Sequence, residues 1–128
     1  MMKSMVEFYR EMTKRYFNEE AEFKQKFQLQ TVEWSYYGQY SGASRFFVVF
    51  PIKHGVRVMI EIRKDPYIRN VIKKLLREWE ESVKSKNYER YQWLTRQIFE
   101  TAIANCVNAF REEMEGDVLI RKRIQIKK

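Results

Sequence analysis

Apolar residues in the first part of the chain, Met5, Phe8, Tyr9, Met12, Tyr16, Phe23 and Phe27, recur at helical intervals with Lys, Arg and Glu between them, which predicts an amphipathic helix over residues 3–27. The period then drops to two. Val32, Trp34 and Tyr36 alternate with Thr31, Glu33, Ser35 and Tyr37, the first set expected to face the core. After a turn that contains Gly38 and Gly42, residues 45–50 are apolar on both faces, as a central strand would be. Beyond Pro51 and the Lys53-His54-Gly55 turn, Val56, Val58, Ile60 and Ile62 alternate with Arg57, Met59, Glu61 and Arg63, giving a third strand and an antiparallel meander.

Asp65-Pro66 opens a second helix, because the Asp carboxylate can accept from free backbone amides and Pro at the first helical position has no amide to leave unsatisfied. Its stripe is Ile68, Val71, Ile72, Leu75, Leu76, Trp79 and Val83. A break at Ser85-Lys86-Asn87 leads into a third helix expected to end near Met114, before Gly116, and to pack antiparallel to the second. The chain then returns to period two, with Val118, Ile120, Ile124 and Ile126 against Leu119, Arg121, Arg123, Gln125 and Lys127. The resulting order is αβββααβ. It predicts one α+β domain over residues 1–128, a two-layer structure in which an antiparallel sheet of about four strands carries its helices on one face.

Charge adds a second layer to this pattern. The net +8 divides into +1 over residues 1–28, +3 over 29–64, −1 over 65–117 and +5 over 118–128, so the predicted strands hold nearly all of the excess. The alternate positions that would face away from the helices are Glu33 and Tyr37, Phe47 and Val49, Arg57, Met59, Glu61 and Arg63, then Arg121, Arg123, Gln125 and Lys127. Phosphates need cations and unstacked bases need flat side chains. Tyr37, Phe47, Arg57, Arg63, Arg121, Arg123 and Lys127 are therefore the candidate nucleic-acid-binding residues, for DNA or RNA. The competing expectation is a structural or assembly protein, in which Phe47, Val49 and Met59 bury against a second copy in a homodimer and Glu33 and Glu61 pair with arginines.

Little else in the chain carries chemistry. The single Cys106 lies among Ala102, Ile103, Val107 and Phe110 and reads as a small buried hydrophobe. The single His54 leaves no material for a His-based triad or a paired-His metal site, and four glycines form no phosphate-binding loop. No catalytic residue, cofactor, metal or small-molecule substrate is expected. The longest apolar run, residues 46–52, is too short for a membrane span, and the first twelve residues are charged where a signal peptide is apolar, so a cytoplasmic protein with no membrane partner is expected.

Glu61-Ile62-Arg63-Lys64, at the end of a strand within a helix, three strands and a helix, resembles the PD-(D/E)xK nuclease family. That resemblance implies a metal-dependent nuclease with Glu61 as a ligand. Residues 34–60 contain no Asp or Glu to serve as the second ligand, and Arg63 stands at the Lys position of the motif. The same element order is similar to the double-stranded RNA-binding domain and, more loosely, to the Alu-binding proteins of the signal recognition particle, over about half the chain and without matching residues.

Overall fold

The computed structural model describes residue 7 and residues 29–35, 44–53 and 55–124. The helix expected over residues 3–27 lies, apart from Glu7, outside the described residues, as do Tyr37, His54 and Lys127. Among the described residues from 29 onward, five strands and two helices follow one another: β1 (Gln30–Ser35), β2 (Ser44–Lys53), β3 (Val56–Ile62), α1 (Pro66–Lys84), α2 (Tyr88–Ala104), β4 (Cys106–Glu115) and β5 (Val118–Arg123). The strands form one antiparallel sheet in the order β1-β2-β3-β4-β5. This is an α+β fold in which the meander is interrupted once, between β3 and β4, by a helical hairpin.

The two-helix insertion is set by its ends. Asp65 accepts from the Tyr67 amide at 2.9 Å with Pro66 behind it, and Asn87 caps α2 by accepting from the Arg90 amide at 3.1 Å. The helices fold back on each other, since Trp79 Nε1 donates to Thr95 Oγ1 at 2.8 Å while Arg90 reaches Glu78 at 3.3 Å. Ile72, Leu76 and Trp79 from α1, with Tyr91, Leu94, Ile98 and Ala102 from α2, cover one sheet face. Phe46, Val48, Phe50, Val58, Ile60 and Ile62 supply that face, all of them buried. The turns between strands use residues that tolerate positive φ, Gly55 at +75° and Gly116 at +60°.

Two expectations need correcting. The third helix stops ten residues early, at Ala104, and residues 106–115 form β4, so the sheet has five strands and not four. Asn105 turns the chain at φ −119°, its side chain donates to Thr101 O at 2.9 Å, and its carbonyl accepts from the Arg63 amide at 3.1 Å. Ala102, Ile103, Cys106, Val107 and Phe110 keep a helix-like spacing through this point. The open edge of β3 decides the matter, because without β4 its outward amides and carbonyls would lack partners.

The second correction concerns β1, whose faces are reversed. Glu33 pairs with Phe46 on the helix side, where Arg69 and Lys73 of α1 approach it at 3.8 and 3.7 Å. Val32 pairs with Phe47 on the open side. A period of two fixes which residues share a face but not which face is inside.

The core makes a quantitative demand. Ile60→Ala and Leu94→Ala, each at a fully buried position, should each lower unfolding free energy by about 2–5 kcal/mol in urea titrations. Losses below about 1 kcal/mol would contradict the packing described.

Candidate nucleic-acid interface

Register aligns the side chains of the open face into rows that cross the sheet. One row runs Val32, Phe47, Glu61, Asn108; the next Val49, Met59, Phe110, Arg123; the third Pro51, Arg57, Glu112, Arg121. The first row is apolar at β1 and β2, and the second, which begins at Gln30 of β1, is apolar from Val49 of β2 to Phe110 of β4. Phe47, Val49 and Met59 form a second small core with Val32 and Phe110 packed against it. Polar and charged side chains gather toward β4 and β5.

Phe47 is 1% exposed. Its ring meets Phe110 edge-on at 6.5 Å between centroids, and the Arg45 guanidinium lies 4.9 Å from its centre. A ring so enclosed offers no face to a base. Arg57 and Arg121 both point at Glu112, with Nε 2.5 Å from Oε2 and Nε 2.9 Å from Oε1 respectively, yet each keeps about half of its side chain in solvent. Arg123 is exposed and its guanidinium lies 5.7 Å from the Phe110 ring. Arg63 is exposed just beyond β3. The structure thus brings Arg57, Arg121 and Arg123 together at one end of the face, leaves Arg63 at the opposite end of β3, and places Phe47 in the core.

Glu61 is engaged by the protein itself. Arg45 donates to both carboxylate oxygens at 2.9 Å, and Asn108 Nδ2 donates to Oε1 at 3.2 Å. The hydrogen bonds from Arg45 hold the Glu61 carboxyl below its ordinary range against the opposing effect of burial, and Asn108 adds to the lowering. A carboxylate already accepting on both oxygens is poorly disposed to ligate a metal. Among the described residues no group of three or more His, Cys, Asp or Glu could hold one.

Glu112, Arg45, Asn108 and Phe110 all belong to the face and none was legible as part of it. Glu112, Asn108 and Phe110 sit in the segment that reads as helix. Arg45 opens the strand whose apolar run draws attention away from it. On the other side of the molecule, a hollow of about 430 Å³ between β1 and α1 is bordered by Leu29, Trp79, Glu80 and Lys84, the last two an i, i+4 pair on one helix. No helix among the described residues is long and apolar enough to cross a membrane. Comparison with protein-family models, curated proteins and solved structures finds no match.

Because the folded pKa of Glu61 is depressed, the stability it contributes is present above its ordinary value of 4.5 and is lost as pH falls through the lowered folded value. Thermal unfolding of the wild type, followed from neutrality into acid, should therefore fall off more steeply below pH 4.5 than that of Glu61→Gln. Parallel curves would show that the Arg45 pair does not carry this effect.

Proposed function

We propose that this is a small basic nucleic-acid-binding protein that holds the phosphate backbone through Arg57, Arg121 and Arg123, with Arg63 extending the positive surface, and performs no chemistry. The observation that carries the reading is the placement, on the open side of the sheet, of two exposed arginines paired to one buried carboxylate with a third exposed arginine laid over Phe110 beside them. Glu112 fixes the inner edge of two of them and leaves the outer surface charged. Arginine suits this work, since its planar fork of donors matches phosphate oxygens. The net charge of +8 adds a long-range field that would draw a polyanion in.

The aromatic part of the interface is changed from the sequence expectation, because buried Phe47 cannot stack on a base; Tyr37 and Lys127 lie outside the described residues. A nuclease reading loses support from the occupied carboxylate of Glu61. Assembly into a homodimer has one observation in its favour, the exposed Val118, Leu119 and Met114 of the β4–β5 hairpin. Phe47, Val49 and Met59 do not call for a second copy, as one chain already buries them.

Neutralising two of the arginines should isolate the phosphate contacts. Arg121→Gln with Arg123→Gln is expected to weaken binding to labelled DNA or RNA and to reduce the slope of log affinity against log salt by about 2. Gln is chosen over Glu because a new carboxylate at position 121 would confront Glu112. A wild type that shows no salt-dependent binding to heparin or to nucleic acid, or a double variant whose affinity and salt slope are unchanged, would refute the reading.

A further inference from the structure

β5 (Val118–Arg123) is the last strand of the sheet, and beyond it no further strand lies among the described residues. Its ladder with β4 fixes which backbone groups face that side. The Ile124 amide donates to the Ala109 carbonyl at 2.9 Å, and successive residues of an antiparallel strand point their N–H and C=O groups to alternate sides. Lys122, Ile120 and Val118 therefore bond to β4, while Leu119, Arg121 and Arg123 turn their amides and carbonyls outward. Val118 and Leu119 are 64% and 47% exposed, and Arg121 and Arg123 are exposed as well, so this edge stands in solvent. Such an edge is a template for a strand from elsewhere.

The side chains along it fall into two halves. Val118, Leu119 and Ile120 are apolar, and Arg121, Lys122 and Arg123 are cationic. The apolar half adjoins a recess of about 260 Å³ on the open face, with walls from Pro51, Val56, Met114 and Leu119. In the cationic half, Glu112 and Glu113 flank Arg121 and Lys122 from the β4 side, whereas Arg123 lies over Phe110 with no carboxylate partner among the described residues. A second copy of β5 is a poor fit. Two-fold antiparallel pairing keeps the sheet faces continuous, so each register is centred on a residue that meets its own copy. Centred on Arg121 or Lys122, it sets like charge against like; centred on Ile120, it sets Arg121 opposite Leu119 and Lys122 opposite Val118. Cations on an edge strand guard against self-pairing in this way.

We propose that β5 receives an extended segment of a partner protein as an added antiparallel strand, the segment reading three acidic residues followed by three apolar ones. The acidic residues then lie opposite Arg123, Lys122 and Arg121, and the apolar ones opposite Ile120, Leu119 and Val118. Outward backbone groups of β5 hold the segment, and the cross-strand pairs select it. The inference stands on the sheet edge independently of the phosphate reading, yet it shares Arg121 and Arg123 with it, so segment and nucleic acid compete.

The test adds the full chain to a fluorescein-labelled, end-capped peptide whose core is three glutamates then three valines, followed by anisotropy at neutral pH. Heparin binding is measured in parallel. N-methylation of the first, third and fifth core residues, whose amides would face β5, should weaken peptide binding about tenfold or more, and reversing the core should do the same. Methylating the second and fourth residues, whose amides face away, should not. In the protein, Leu119→Pro removes an outward amide but no bond to β4 and no cation, a change that an edge strand tolerates. It should weaken peptide binding to a similar degree and leave heparin binding unchanged. Equal affinity for the original, reversed and methylated peptides would reduce the effect to charge and overturn the strand site, as would no peptide binding beside intact heparin binding; both leave the phosphate reading standing. Peptide binding of the expected pattern with no binding to heparin or nucleic acid would uphold the strand site and refute the phosphate reading. A native mass of two chains that falls to one in Leu119→Pro would assign the edge to a second copy and overturn the proposal.

Discussion

The constraint on which the molecule depends is that β2 is apolar on both sides and its neighbour β3 is apolar on the helix side, with Met59 apolar on the other. Phe46, Val48 and Phe50 meet the helices, while Phe47 and Val49 pack with Met59 on the opposite face. A strand greasy on both sides must sit inside a sheet and be flanked. On one flank β1 supplies a short edge. On the other, β4 must come back after the helical hairpin to satisfy the outer edge of β3. The position of every charged residue on the open face follows from that arrangement, because the apolar centre leaves charge room only toward β4 and β5 and at the strand ends.

Placing β4 between β3 and β5 also changes the electrostatics. Its sequence contributes Glu112, Glu113 and Glu115 against a single Arg111, so the sheet is not uniformly positive. Glu112 lies under Arg57 and Arg121 on the open face, and Glu113 meets Arg111 at 3.0 Å and Lys122 at 3.2 Å on the helix side. A buried carboxylate flanked by two cations is a weak source of stability by itself, since desolvation offsets much of the attraction. Its effect here is on order. Three consecutive cations on β5 would repel one another and splay, whereas Glu112 anchors Arg121 on one face, Glu113 anchors Lys122 on the other, and Arg123 lies over Phe110.

How much of this was legible in the sequence depends on what each signal measures. The apolar runs of β2, β3 and α1 and the Asp65-Pro66 start announced their elements correctly, because burial and capping are local and strong there. The inner and outer positions of β3, and Arg121 and Arg123 on β5, were also legible from alternation. Alternation alone puts Glu33 on the open face, because a strand with three apolar and several polar residues has a period but no sign until a helix approaches it, and here Arg69 and Lys73 accommodate the acidic side. The segment 106–115 looks helical in sequence because its spacing continues that of α2, and only Asn105 hints at a stop. Pairing with β3 is non-local and leaves no mark in a short window. Losing that strand hid Glu112 and Phe110, and with them the arrangement of the candidate site.

The same geometry separates attraction from grip. The net charge of +8 favours the approach of a polyanion at low salt, but it is not confined to the sheet, since the helical hairpin over residues 66–104 itself carries 8 Lys and Arg against 5 Glu. A field alone selects nothing, and it fades with ionic strength. Fixed geometry is what could select: two arginines held by one buried carboxylate, a third laid over Phe110, and an apolar recess beside them. These groups sit on paired strands and not on loops, so their spacing is set by hydrogen-bonded register. Glu112 is the hinge of that logic. It costs the surface one unit of positive charge, and in return two flexible cations become a patterned edge.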